Sequence, residues 1–178
     1  MPSLRVTGGT LRGRRVPVPA GEVRPTSERA RQAYFNIVSE RVSEARFLDL
    51  FAGSGIFSLE ALSRGAAAAV AVERSPKQCA AIKQTAGALG VLVTTVAGDA
   101  IATLGSLSAI PFDLIYADPP YDYGRYDDLV AAIAGGPLAT DALVAVEHRR
   151  RTEPFHQTTL REIRRAEYGE VWITFFER

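Results

Sequence analysis

From residue 47 onward the chain repeats one pattern: a short, almost wholly apolar run, then a stretch with helical spacing. The apolar runs cover 47–51, 68–73, 91–97, 112–117 and 142–147, and the helical stretches 56–64, 76–88, 99–107 and 124–134. A strand that is apolar at successive positions is buried on both faces, because neighbouring side chains point to opposite sides. Helices between such strands then cover both faces of a mostly parallel sheet, which predicts a three-layer α/β/α sandwich. The tail breaks the alternation. Two β-rich runs, 160–167 and 170–176, flank Tyr168-Gly169 and read as a hairpin, hence an antiparallel edge.

Ahead of the repeat, Leu4-Arg5-Val6 and 15–18 flank a glycine-rich middle and read as a second β-hairpin over 4–18. Residues 19–26, with Pro19, Gly21 and Pro25, read as a linker. A helix capped by Thr26 or Ser27 follows, with Ala30, Ala33, Tyr34, Ile37, Val38 and Arg41 on one face. The predicted organisation is an N-terminal hairpin extension over 1–22 and one α/β domain over 23–178. Tyr34 and Phe35 are read as core residues, and His148, beside an arginine run, as a surface residue.

One cysteine, Cys79, excludes an intrachain disulfide framework, and with only His148 and His156 beside it no Cys/His zinc site is expected. No apolar run approaches the ~20 residues of a membrane span, and no secretory signal is seen, so a cytoplasmic protein without metal is expected. The 21 basic and 20 acidic residues sum to +1. That total hides an uneven distribution: residues 1–31 carry +5, residues 148–165 carry +4, and the remainder −8. Two basic ends around an acidic centre suit a phosphate-binding surface next to a site for something that is not a phosphate. Arginines in exposed runs also serve simply as solvated faces.

Ligands of open α/β sheets bind beyond the carboxyl ends of the strands. The first strand leads into Phe51-Ala52-Gly53-Ser54-Gly55, a tight turn at a helix start. It departs from the dinucleotide fingerprint at Ser58, where a third glycine is required. Asp49, just before the turn, would repel a pyrophosphate but suits a cationic or amino-bearing ligand. Glu73 ends the second strand, where a carboxylate accepts ribose hydroxyls; Arg74 follows it. Asp99-Ala100 follows the third strand, where Asp99 can accept from an adenine amino group, cap the next helix, or both. The fourth strand ends in Asp118-Pro119-Pro120-Tyr121. Two prolines fix φ at successive positions. The Asp118 carboxylate and the Pro119 carbonyl are paired acceptors for an exocyclic amino group, and Tyr121 can stack on a base.

Through these residues the chain resembles the class I S-adenosylmethionine-dependent methyltransferases, whose Asp/Asn-Pro-Pro-aromatic motif serves nitrogen methylation. RVTGGTLRGRRVPVP at the start, RPTSERARQAYFN at 24–36, LDLFAGSG at 48–55, DPPY at 118–121 and YGEVWITFF at 168–176 resemble more closely the RsmD family, bacterial 16S rRNA guanine-N2 methyltransferases. Arg24-Pro25-Thr26 is the discriminating piece. Gln32 and Ser75 depart from the residues usual in that family. The resemblance implies a Rossmann-like domain with a seven-stranded, mostly parallel sheet, the C-terminal hairpin antiparallel. It implies S-adenosylmethionine held by Asp49, Phe51, Ala52, Gly53, Ser54, Gly55, Glu73, Arg74, Asp99, Ala100 and Asp118, with Asp118, Pro119, Pro120 and Tyr121 as the catalytic motif. The implied partner is 16S rRNA in the small ribosomal subunit or a late precursor, met by a monomer. Arg5, Arg12, Arg14, Arg15, Arg24, Thr26, Arg29, Arg31, Arg149 and Arg150 are the candidate RNA contacts. Competing readings are an adenine-N6 nucleic-acid methyltransferase with the same tetrapeptide, a protein glutamine methyltransferase (usually Asn at the Asp118 position), and a non-catalytic RNA-binding assembly factor. A dehydrogenase is disfavoured by Asp49 and Ser58.

Overall fold

The computed structural model describes residues 2–18, 28–107, 111–120, 122–150, 155–156 and 159–178. The 19–26 linker and the Thr26 or Ser27 cap lie outside these, as do Arg24 and Tyr121. In chain order the elements are β1 (Ser3–Arg5), β2 (Arg15–Pro17), α1 (Glu28–Ile37), β3 (Arg46–Leu50), α2 (Ile56–Ser63), β4 (Ala68–Glu73) and α3 (Pro76–Ala88). They continue with β5 (Thr94–Ala97), α4 (Ala100–Leu104), β6 (Phe112–Ala117), α5 (Tyr126–Ala134), β7 (Leu138–Arg149), β8 (Arg161–Tyr168) and β9 (Val171–Glu177). β3–β9 form one seven-stranded sheet in the order β5-β4-β3-β6-β7-β9-β8. β5, β4, β3, β6 and β7 are parallel, and β9 is antiparallel to both β7 and β8. Among the described residues no helix is long and apolar enough to cross a membrane.

Alternate side chains of the strands feed two separate cores. Phe47, Ala71, Leu114, Tyr116, Ala145 and Phe175 pack under α1, α2 and α3. Leu48, Leu50, Ile115, Ala117, Val144, Val146 and Phe176 pack under α4 and α5. This is the burial on both faces that the apolar runs require. Tyr34 and Phe35 are fully buried, as read; Tyr34 lies edge-on to Tyr116 at 4.8 Å between ring centroids.

Two strand starts differ from the sequence reading by three residues or more. β5 starts at Thr94, since Leu92 lies in a connection and is 82% exposed. β7 starts at Leu138, not 142: the exposed polar Thr140 and Asp141 interrupt the apolar run within the strand, and the ladder to β6 shifts register between Phe112 and Leu114.

The N-terminal hairpin is a separate two-stranded sheet, β1 antiparallel to β2. Two strands alone are marginal in water, and this pair is held by the α/β body. Val6 and Val16 are buried in the same core as Tyr34 and Phe35. Glu60 of α2, fully buried, accepts hydrogen bonds from the Thr7 amide (2.6 Å), the Thr7 hydroxyl (2.8 Å), Arg31 Nε (3.1 Å) and Arg64 Nε (3.2 Å). Arg31 also donates to the Arg5 carbonyl. The hairpin turn sits on the last turn of α2: the Thr10 amide donates to the Ser63 carbonyl and the Leu11 amide to Ser63 Oγ. Gly9 has φ +74, and a Cβ there would collide with the Ser63 carbonyl, so only glycine allows this approach.

Candidate active site

The carboxyl ends of β3, β4, β6 and β7 gather four acids on one face of the sheet. Register places Asp49 beside Ala71 and Tyr116, and Tyr116 beside Ala145. Two residues further along, side chains return to the same face, which puts Glu73, Asp118 and Glu147 beyond Ala71, Tyr116 and Ala145. The face is the one covered by α1 to α3.

The turn after β3 is built from left-handed residues. Phe51 (φ 63), Gly53 (φ 53) and Gly55 (φ 74) alternate with ordinary ones and bring α2 directly back from the strand end. Phe51 is the strained member, since non-glycine residues rarely adopt this region; its ring lies edge-on to Tyr123 at 5.4 Å. At Gly55 a Cβ would sit 2.9 Å from Ile82 Cγ2 of α3, so packing as well as φ demands glycine. Ala52, Gly53 and Ser54 are buried in this turn.

Asp49 is 2% exposed, and its Oδ2 accepts from the Ser58 amide (3.1 Å) and the Ser58 hydroxyl (2.8 Å). Ser58, which breaks the dinucleotide fingerprint, is thus the residue that anchors Asp49. Burial raises the Asp49 carboxyl to about 7; the Ser58 bonds oppose the shift, while Asp118 and Glu73 add to it. Glu73 accepts from the Gly53 amide through Oε2 (2.9 Å) and from the Ser75 amide through Oε1 (2.8 Å), tying the first turn to the second strand. Ser75 caps α3 by accepting from the Gln78 amide, with Pro76 following it, so the departure from the family residue is absorbed as a helix cap. Asp99 caps α4, its Oδ1 accepting from the Ile101 and Ala102 amides, which leaves its second oxygen outward. Arg74 is exposed and Ala100 buried.

This set fits S-adenosylmethionine. The acids offer acceptors to hydroxyls, amines and a cationic centre. A phosphate finds only carboxylates at Asp49 and Glu73. Among the described residues no three His, Cys, Asp or Glu side chains converge closely enough to hold a metal ion.

At the end of β6 the Asp118 amide donates to the Leu50 carbonyl (3.3 Å), Pro119 is buried, and Pro120 is exposed with its carbonyl accepting from the Tyr123 amide. Asp118 itself is half-buried. Sequence reasoning missed its neighbour. Glu147, 8% exposed, accepts the Tyr116 phenol at 2.6 Å and lies next to Asp118, one residue beyond the Ala117–Val146 pairing. The available signal was the one that picked out Glu73: an acid closing an apolar run.

The arginines divide. Arg5, Arg12, Arg14, Arg15 and Arg29 are exposed, and Arg149 and Arg150 are exposed at the carboxyl end of β7, the edge that carries Asp118. Arg31 is a correction: read as an RNA contact, it is fully buried and paired with Glu60, its charge consumed in holding the hairpin. The hairpin turn also lies at the amino edge of the sheet, because α2 leaves the carboxyl end of β3 and its last turn returns to the start of β4. Arg12 is therefore remote from Asp118. Arg24, Thr26 and Tyr121 lie outside the described residues. His148 is the second correction. It is 4% exposed, its Nε2 is 2.8 Å from Thr174 Oγ1, and its ring packs edge-on to Tyr126, Phe155 and Trp172.

A profile of the family described as "Conserved hypothetical protein 95" matches residues 4–177. The Escherichia coli (strain K12) protein named Ribosomal RNA small subunit methyltransferase D is 36% identical over 148 residues, 81% of this chain and 74% of its own. Bacillus subtilis (strain 168) YlbH is 30% identical over 182 residues, 98% of this chain and 99% of its own. The solved structure of Escherichia coli yhhF superposes with a TM-score of 0.87 at 31% identity, covering 99% of this chain and 98% of that one. Matched in sequence from residue 4 to 177 and in the Rossmann-like layout of its sheet, the chain belongs to the RsmD family of S-adenosylmethionine-dependent methyltransferases.

Proposed function

We propose that the protein transfers a methyl group from S-adenosylmethionine to the exocyclic N2 of one guanine in 16S rRNA of the small ribosomal subunit, acting in the cytoplasm as a monomer. The carrying observation is the Asp118-Pro119-Pro120 corner, rigid and half-buried, at the end of the central strand β6 and next to the acids of the cofactor turn. The name of the Escherichia coli relative, an rRNA small subunit methyltransferase, supports the substrate class.

The guanine amino lone pair is delocalised into the ring, so the nitrogen is a poor nucleophile. The Asp118 carboxylate and the Pro119 carbonyl accept its two protons and hold it in line with the methyl group; such positioning contributes ~7–11 kcal/mol. As positive charge develops on nitrogen, the same acceptors stabilise it. The carboxylate is too weak a base, at an ordinary value of ~3.9, to deprotonate the amine first, so proton loss accompanies or follows transfer. Bound cofactor supplies the methyl group from its sulfonium. A paired guanine cannot reach the corner, so the base is unpaired or flipped, and Tyr121 stacks on it. Arg149 and Arg150 meet phosphates near the target, while Arg5, Arg12, Arg14, Arg15, Arg24, Thr26 and Arg29 extend the footprint along the rRNA.

Incubation of small subunits lacking the modification with enzyme and S-adenosylmethionine, followed by mass spectrometry of the nucleosides, tests this. N2-methylguanosine is expected, and it is lost in Asp118→Ala while cofactor binding persists. N6-methyladenosine, or full activity of Asp118→Ala, overturns the reading.

A further inference from the structure

The acid row holds one buried carboxyl that the proposed chemistry does not use. Glu147 lies beside Asp118 on the same face of the sheet, one residue beyond the Ala117–Val146 pairing of β6 and β7, with the Tyr116 phenol donating to Glu147 Oε2 at 2.6 Å. Tyr116 is fixed in turn by stacking on Phe57, with centroids 3.8 Å apart and planes 14° apart, and by Tyr34 edge-on. Two adjacent carboxyls in a buried site cannot both be ionised at modest cost, and one proton shared between them removes the repulsion.

We propose that Glu147 is the positioning residue of Asp118: it carries the pair's proton and donates it to the Asp118 carboxylate, so that Asp118 meets the target amine as a fixed, ionised acceptor. The inference rests on the reading of Asp118 as the acceptor of that amine. Burial first, then the Asp118 charge, push the Glu147 carboxyl up to about 8; the Tyr116 bond opposes the shift and the bond to Asp118 adds to it. The facing groups are Tyr116 and Asp118 from β6 and Tyr126 from α5, whose phenol is raised by burial and then by Asp118 and Glu147. In the transfer step the amine nitrogen forms its bond to the methyl carbon, and the carbon–sulfur bond breaks with its electron pair going to sulfur. The nitrogen then gives one proton to Asp118. The pair, which began with one proton and one negative charge, holds two protons and none, and returns one to water as product leaves.

Glu147→Gln tests the assignment, because its amide still donates to Asp118 and accepts from Tyr116 but holds no titrating proton. The wild-type kcat profile is expected to fall on the alkaline side as the shared proton is lost, and Glu147→Gln is expected to lose that limb. Independently of activity, the infrared spectrum at neutral pH should contain a protonated carboxyl band absent from Glu147→Gln; Asp49 contributes its own band to both proteins and cancels in the difference. A Glu147→Gln profile superimposed on wild type, or a difference spectrum showing loss of a carboxylate band instead, overturns the proposal. Asp118→Ala separates the two failures. If it transfers methyl groups normally, the underlying reading of Asp118 is wrong. If it is inactive while Glu147→Gln matches wild type, only the role of Glu147 falls.

Discussion

Removing the Glu60 carboxylate should cost more stability than any other single surface-to-core contact of the hairpin. Four donors converge on it, two from the backbone and hydroxyl of Thr7 and two from guanidinium groups, and both Glu60 and Arg31 are 0% exposed. Glu60→Ala leaves the Arg31 charge in the core with only the Arg5 carbonyl as a named acceptor. Breaking a buried ion pair from one side costs about 3–5 kcal/mol. For a chain of this size each kcal/mol moves Tm by roughly 2–4 °C, so the midpoint should fall by roughly 6–20 °C. Thermal melts by circular dichroism and urea titrations at constant m-value measure it. The double variant Arg31→Met with Glu60→Leu should recover most of the loss, since neither member of the buried pair then carries a charge, and the remainder belongs to the two Thr7 donors and Arg64. A Glu60→Ala midpoint within about 2 °C of wild type, or a double variant worse than the single, refutes the view that this pair anchors the hairpin.

Three further outcomes follow from the site. Gly55→Ala should lower stability by at least about 1 kcal/mol, from the left-handed φ alone, and weaken cofactor binding as Ile82 is displaced; melts and calorimetry read both. Asp49 is raised to about 7 when folded against an ordinary 3.8, so the folded state binds the extra proton, and its contribution declines as pH rises from about 4 to about 7; Asp49→Asn should flatten stability across that window. A cationic ligand favours the ionised form, so cofactor binding near pH 6 should release protons, visible in calorimetry across buffers of different ionisation enthalpy, and lose this release in Asp49→Asn. Arg149→Ala and Arg150→Ala should each reduce the salt dependence of rRNA binding by about one phosphate contact without changing cofactor affinity.

The strands that seat the site were readable because they are mostly apolar and each leads into an acid: 68–73 and 112–117 coincide with β4 and β6. Glu73 and Asp118 were found as strand-end acids for the same reason. Arg31, Glu60 and His148 were not readable as buried groups. Charged and imidazole side chains are ordinarily solvated, and what keeps these inside is a partner far along the chain: Glu60 is 29 residues from Arg31, and Thr174 is 26 from His148. Glu147 closes an apolar run just as Glu73 does, but its importance comes from β7 lying in parallel beside β6, which brings it next to Asp118. The glycine at position 9 looked like turn composition, whereas its demand comes from the Ser63 carbonyl.

The position of β9 between β7 and β8 has a consequence for folding. β8 precedes β9 in the chain but has no partner in the sheet until β9 is laid down. In any folding intermediate that lacks a docked β9, the β7 edge, with Val144 and Val146 behind it, is open along its length, and an unpaired apolar edge is a template for other chains. Docking of Val171–Glu177, whose Ile173 to Phe176 segment is wholly buried, closes that edge and recruits β8 in the same step. Variants that weaken β9 docking should therefore raise aggregation during refolding more than equally destabilising variants elsewhere in the sheet.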